Sequence, residues 1–274
     1  VLKNSIMGRE VVESRNGEVI VRIGGGENWH QWVLYCLEQD WGGVENLSLI
    51  PGSVGAAPIQ NIGAYGVELQ QVFVRLEALH LGSGELHTFE HADCQFGYRN
   101  SIFKQQAKGQ YLITRVWLRL RNRNHQLHTH YGSIAAELKK AGIRQPTIRD
   151  ISRVVCHIRR SKLPDPAELG NAGSFFKNPV VEPQQFEQLL AEYPNMPHYP
   201  QEEGGVKIPA GWLIEQTGWK GKRVGNCGVH AQQALVLVNY GGATGMEILQ
   251  LSRRIQDSVR HQFGIELERE VNVL

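Results

Sequence analysis

Three separated groups of residues in this 274-residue chain have types and spacings that could do chemistry. Ser174, in Gly170–Pro179 (GNAGSFFKNP), follows two small residues and precedes two phenylalanines, a setting that can present a hydroxyl to a ligand while the rings exclude water. A loop or capping serine reads the same way. No G-x-S-x-G elbow is present, so hydrolase-type nucleophilic chemistry lacks support. Arg99, which follows Tyr98 in FGYRNSIFK, sits among aromatics and could hold a carboxylate in a bidentate fork, or be a surface arginine. Glu266, Glu268 and Glu270 alternate through IELEREVNVL and so share one face; periodicity does not choose among them, and a solvated acidic edge is the plain alternative. Lys162, Lys177 and Tyr131 are ordinary surface residues on type alone.

A fourth feature is a stretch that offers backbone rather than side chains. Ile50–Gly66 (IPGSVGAAPIQNIGAYG) holds four glycines, three alanines and two prolines in seventeen residues, with no charge. Turns of Gly, Ala and Ser expose amide N–H groups and can form anion-binding nests, so a phosphate or the edge of a cofactor is one reading and a plain connector the other. No Gly-Lys-Ser/Thr follows, and the G-x-G-x-x-G spacing is missing, so neither a P-loop nor a Rossmann turn is written here.

The elements that must position these groups follow from patterning. Glu18–Ile23, the alternating run from Val72, Leu86–Phe89 and Tyr111–Arg121 read as strands, with Gly82-Ser83-Gly84 turning a hairpin. Trp29, Trp32, Val33, Cys36 and Leu37 fall on one helical face. Thr147 with Asp150 and Thr244 with Glu247 mark helix starts; Leu163–Pro166 (LPDP) and Gly264 mark the ends. Ala234–Val238 reads as a buried strand and 265–274 as a last one. These elements predict an α+β chain, strand-rich first and then smaller and mixed, with a boundary near Lys162–Gly170. A formal charge of +2 and 41% hydrophobic residues argue against nucleic acid or an anionic membrane as partner. Cys36, Cys94, Cys156 and Cys227 lie far apart with no metal-like spacing, and read as buried or incidental thiols. No apolar run reaches membrane-spanning length. The start at Val1, without Met and directly strand-like, suggests a lost N-terminal piece.

Taken together and in order, IPGSVGAAPIQNIGAYGVEL, FGYRNSIFK, SKLPDP, NAGSFFKNP, GWLIEQ and LEREV strongly resemble the UDP-N-acetylenolpyruvoylglucosamine reductase (UDP-N-acetylmuramate dehydrogenase) family, over essentially the whole chain. Tyr131 and the extended middle resemble the branch with an extra tyrosine-bearing substrate loop. The resemblance implies a strand-rich FAD-binding domain over 1–163, a smaller α+β substrate-binding domain over 164–264, and a terminal strand over 265–274 returning to the active site. It implies a bacterial cytoplasmic monomer of peptidoglycan precursor synthesis, and hence of cell shape and division. NADPH would reduce FAD, and the reduced flavin would reduce the enolpyruvyl ether of UDP-N-acetylglucosamine to the lactyl ether of UDP-N-acetylmuramate.

The site roles are likewise what the resemblance implies. Ser174 is the proton donor, Arg99 the cation that stabilises enolate-like charge, and Glu270 the protonated partner of the carboxylate. Tyr131 and Lys162 hold the UDP pyrophosphate, and Asn178 and Tyr98 also serve the substrate. Pro51, Gly52, Ser53, Val54, Gly55, Ala56, Ile59, Asn61, Ile62, Gly63 and Tyr65 lie along the FAD, where side chains would obstruct the flavin. No metal is implied. Two departures stand out: the family's Gly-x-Gly-Ser-Asn phosphate loop is expected ahead of Val1, and without it FAD binding would weaken; Arg269 stands where the family pattern has proline. The rivals are a flavin oxidase of small alcohols, against which NAGSFFKNP argues, and a non-catalytic nucleotide-sugar binding fragment.

Overall fold

Asn16 and Gly17 both take left-handed backbone (φ 55° and 84°), the geometry that turns a two-residue hairpin. In the computed structural model, which describes residues 3–131, 133–201 and 204–273, that hairpin joins β1 (Arg9–Arg15) to β2 (Glu18–Gly24). Val1, Leu2 and Leu274, the outermost residues of the expected first and last strands, lie outside the described residues. The chain divides into two units, Val1–Arg159 and Arg160–Leu274.

In the first unit α1 (Trp29–Glu38) follows, then the two-residue strands β3 (Gly63–Ala64) and β4 (Val67–Glu68), β5 (Phe73–His80), β6 (Leu86–Glu90) and β7 (Tyr111–Arg121). The long strands pair antiparallel in the order β1-β2-β7-β5-β6. Alternation sends Val19, Val21 and Ile23 of β2 inward, where they share a core with Trp29, Trp32, Val33 and Cys36 of α1. Asn28 caps α1 by accepting a bond from the Gln31 amide at 3.0 Å. Two helices end the unit: α2 (Ile134–Lys140), which the sequence reading did not anticipate, and α3 (Ile148–Lys162). Thr147 and Asp150 cap α3 reciprocally, and α3 stops where LPDP begins. Ile134, Leu138, Ile151, Val155 and Ile158 form a separate small core between α2 and α3.

The second unit begins with β8 (Gly170–Ser174), followed by β9 (Val180–Val181), α4 (Pro183–Glu192), β10 (Tyr199–Pro200), β11 (Val206–Lys207), α5 (Ala210–Gln216), β12 (Arg223–Val224), β13 (Cys227–Val229), β14 (Val236–Asn239) and α6 (Gly245–Phe263). Its sheets run β12-β13-β14-β8 and β10-β11-β9, antiparallel throughout. Thr244 and Glu247 close a full capping box on α6, and Gly264 ends the helix at φ 64°. Leu251, Ile255, Val259 and Phe263 pack α6 onto a core that includes Phe175, Phe176, Ile208, Leu213 and Ile214.

The tail departs from its expected form. Residues 265–268 alternate as read, with Ile265 and Leu267 buried and Glu266 and Glu268 exposed, but pairing is confined to one bridge, Phe176 with Arg269. The apolar face then dissolves, since Val273 is exposed. A strand pattern needs a partner of equal length, and β8 has already given its ladder to β14.

Candidate active site

The glycine-rich stretch is pinned before it reaches any ligand. Trp29 N–H donates to Gly52 O (3.0 Å), Val54 N–H to Glu27 O (2.8 Å) and Gly55 N–H to Gly25 O (2.8 Å), which laces the stretch onto the segment after β2. A Cβ on Gly55 would lie 2.8 Å from Ile113 O and 2.9 Å from Gly25 O; on Gly25 it would lie 2.4 Å from Ile113 O. These two glycines are therefore required by three backbone segments passing in contact. Gly52 differs: it is exposed, at φ 110°, with nothing within 4 Å of its Cβ position. Pro51, Gly52 and Ala56 lie on the open side with Ser53 half-covered, whereas Val54 and Ile62 belong to the core and Ile59 packs against it.

Asn61 uses its side chain as a clamp. Fully buried, at φ 44°, it donates to Glu68 Oε2 (2.8 Å) and Gly97 O (3.1 Å) and accepts from the Gln70 amide (3.0 Å). The clamp, helped by Ser101 Oγ donating to Ile59 O at 2.6 Å, ties the tight turn Gly97–Asn100 to the glycine-rich stretch. Arg99 sits in that turn at φ 53°, a strained setting for a bulky residue. Its Nη2 donates to Gly63 O, its Nη1 lies 3.8 Å from Glu68 Oε1, and its guanidinium stands 5.2 Å from the Tyr98 ring centroid. The sequence-predicted Arg99, Tyr98, Asn61 and Gly63 thus share one constellation.

A second constellation surrounds Tyr65, which also has left-handed backbone (φ 52°). Asn46, fully buried, donates to Tyr65 O (3.1 Å) and His128 O (2.9 Å). The Tyr131 side chain stands against Gly66, where an added Cβ would meet Tyr131 Cβ at 3.3 Å and its ring at 3.5 Å. Burial pushes the Tyr65 phenol up and the neighbouring Arg159 guanidinium down from their ordinary values. Arg159 Nε and Asn46 Oδ1 are buried without a hydrogen-bond partner. Sequence reading missed Arg159; it is one basic residue among several in His157–Lys162 (HIRRSK) and carries no periodic signal of its own.

In the second unit, Asn171 shapes the approach to Ser174. Its Nδ2 donates to Leu169 O (2.8 Å) and Pro164 O (3.2 Å), while its Oδ1 accepts from the Gly173 amide (2.9 Å). Gly173 at φ 72° then turns Ser174 outward, exposed, opposite Val236. Phe175 and Phe176 are buried behind it. Glu270 N–H donates to Phe175 O at 2.9 Å, which brings the half-buried Glu270 beside Ser174's neighbour. Asn178 Oδ1 accepts from the Ala210 amide (2.9 Å), capping α5, and Lys162 is exposed at the end of α3. His230, also missed, donates its amide to Val236 O (2.9 Å); burial lowers its pKa and leaves Nδ1 without a partner. The four thiols are buried, and burial pushes those of Cys36, Cys94 (to about 12) and Cys227 up, which makes these three poor nucleophiles. Among the described residues no helix is long and apolar enough to cross a membrane.

Comparison with known proteins supplies the context for these constellations. Residues 1–90 match the FAD binding domain family, and residues 165–274 match the C-terminal domain of UDP-N-acetylenolpyruvoylglucosamine reductase. The chain is 52% identical over 274 residues to the UDP-N-acetylenolpyruvoylglucosamine reductase of Flavobacterium johnsoniae, covering 100% of this chain and 81% of the relative. It is 54% identical to that of Pseudomonas aeruginosa over 273 residues, covering 100% of this chain and 80% of the relative. The crystal structure of the Thermus caldophilus reductase superposes with a TM-score of 0.63 at 25% identity, covering 92% of this chain and 71% of that one. The first match implies FAD, and the first unit fits it. FAD is flat, anionic and rich in acceptors; Gly52 offers a surface free of side chains, and Arg159 Nε is a buried donor that lacks an acceptor.

Proposed function

The chain belongs to the UDP-N-acetylenolpyruvoylglucosamine reductase family, and from that premise we propose how its residues divide the work of an FAD-dependent, NADPH-driven reduction of UDP-N-acetylglucosamine enolpyruvate to UDP-N-acetylmuramate. The observation that carries the reading is the second unit's geometry: Gly173 turns Ser174 to the surface while the Glu270 amide is bonded to the next residue's carbonyl. When bound, FAD supplies to the vinyl CH₂ carbon the hydride it has received from NADPH.

The chain's own residues handle the charge and the proton. Enolate-like charge develops on the adjacent carbon and its carboxylate, and Arg99, held by Gly63 O and Tyr98, is the cation that stabilises it. Glu270, protonated, donates a hydrogen bond to that carboxylate. The Ser174 hydroxyl then gives its proton to the carbanionic carbon, which completes addition of one hydride and one proton across the double bond. A serine hydroxyl is a weak acid, but the acceptor is a strong base, so tight placement suffices. Lys162 and Tyr131 hold the pyrophosphate, with Asn178 also at the substrate. Pro51, Gly52, Ser53 and Ala56 provide the open face toward FAD, while Val54, Gly55, Ile59, Asn61, Ile62, Gly63 and Tyr65 shape it. On this reading 1–163 is the FAD domain, 164–264 the substrate domain and 265–274 the returning tail. The enzyme acts as a cytoplasmic monomer in peptidoglycan precursor synthesis, serving cell shape and division, with no nucleic-acid partner.

Ser174→Ala is the direct test. Flavin reduction by NADPH should stay near the native rate while turnover of the enolpyruvyl substrate falls by about 10²–10⁴-fold, the usual worth of general acid catalysis. Equal loss of both half-reactions would remove Ser174 from the role.

A further inference from the structure

Arg269 lies next to Glu270 in the chain, yet its side chain belongs to a different face. Lys177 N–H donates to Glu268 O and Glu270 N–H donates to Phe175 O, both at 2.9 Å. Two bonds flanking the Phe176–Arg269 bridge in this way define a non-hydrogen-bonded antiparallel pair, whose two side chains stand close together on one side. Alternation sets Glu268 and Glu270 on the other side, where Lys177 takes Glu268 at 2.5 Å. Arg269 therefore runs beside Phe176, which is only 1% exposed.

The guanidinium is left in an unusual condition. Its Nη1 is buried with no hydrogen-bond partner, and no carboxylate among the described residues pairs with it. A guanidinium carries donors only, so it cannot relieve the cost by accepting a bond instead. A buried donor without an acceptor works against folding, and in a chain whose other arginines repeatedly find carboxylates, as Arg9 does at Glu27 and Arg115 at Glu77, the exception points to an acceptor that arrives with a ligand.

The location names the chemistry. Phe176 is two residues from Ser174 and bridges to Arg269, so the guanidinium lies where the tail meets the NAGSFFKNP segment, on the face opposite Glu270. The substrate of the function proposed above carries two kinds of oxyanion, a carboxylate and a pyrophosphate, and a guanidinium fork matches either bidentately. We propose that Arg269 receives an oxyanion of the bound substrate, as a binding residue additional to Arg99 and Lys162. This rests on the reading of Ser174 and Glu270 given above. Its contribution is to binding and not to proton or hydride transfer, so its loss should raise KM more than it lowers kcat.

The experiment uses the FAD-loaded enzyme and reads dissociation constants from the change in flavin absorbance on titration, with calorimetry for UDP. Native protein, Arg269→Met and Arg269→Gln are each titrated with the enolpyruvyl substrate and with UDP, which has the phosphates but no carboxylate. Loss of a charge-assisted hydrogen bond should weaken substrate binding by about tenfold or more in both variants, while NADPH reduces the flavin at the native rate. If UDP weakens in parallel, the oxyanion is a phosphate; if UDP is unaffected, it is the carboxylate. Unchanged substrate binding in either folded variant overturns the inference, and Arg269→Gln, which keeps most of the stem and its polarity, decides the matter should Arg269→Met not fold. A native enzyme that binds no enolpyruvyl substrate would instead overturn the function itself.

Discussion

Arg99 owes its placement to the absence of a side chain opposite it. A Cβ on Gly63 would stand 2.6 Å from Arg99 Nη1, 2.9 Å from Glu68 Cγ and 3.1 Å from Val67 O, so Gly63→Ala should push the guanidinium off its seat and also strain the β3–β4 pair. Misplacement of such a group by about an ångström costs on the order of 10²-fold in rate. Steady-state turnover of the folded variant should fall to that extent; a fully active Gly63→Ala would detach Arg99 from the chemistry. Residue types made Arg99 and Ser174 visible in the sequence, but not their presentation. That Gly173 turns Ser174 outward, and that Asn61 spends its amide on Gly97, Glu68 and Gln70, depend on partners far away along the chain.

At the scale of elements, the glycine-rich stretch shows why composition alone misleads. Gly55 answers to the backbone of Ile113 and Gly25, whereas Gly52 faces open space. Gly55→Ala meets only backbone and should lower stability by about 1–3 kcal/mol even without FAD, as chemical denaturation of the cofactor-free protein would read. A loss confined to the FAD-loaded protein would contradict this account. Glu27 ties the same region to the start of β1: it accepts from the Gly8 amide (2.9 Å) and from Arg9 Nη2 (2.7 Å). Burial works against its charge, but the Gly8 amide and the Arg9 guanidinium prevail and hold the carboxyl below its ordinary value. A depressed folded pKa means that this stabilisation is fully present above the unfolded value, about pH 4.3, and is lost as pH falls through the lower folded value. Glu27→Gln should therefore destabilise the protein at pH 7 by about 2 kcal/mol and flatten the acid limb of a denaturation series. An acid limb as steep as that of the native protein would show that the Glu27 contacts do not matter. Helix caps and strand alternation were legible because they are local: α1, α3, α6, β2, β6 and β7 lie where caps and periodicity put them. The short α2 lacks a side-chain cap bond, and the tail's strand pattern has no ladder to join, so neither could be read correctly from neighbours in sequence.

For the whole molecule, two units with separate cores imply ligands that protect different segments. Hydrogen exchange should slow at 51–66 on adding FAD alone and at Tyr98–Arg99, Tyr131, 162–178 and 268–270 on adding the enolpyruvyl substrate; protection of both sets by FAD alone would contradict the proposed division of residues. The order of motifs along the chain made the family legible without any structure, because each motif answers to a different part of one reaction. What binds these claims together is electron flow through the chain, so the deciding measurement is anaerobic absorbance of the FAD-loaded protein near 450 nm. The account expects NADPH to bleach the flavin band and UDP-N-acetylglucosamine enolpyruvate, added next, to restore it with formation of UDP-N-acetylmuramate. A band that NADPH bleaches but the enolpyruvyl substrate leaves bleached would contradict it.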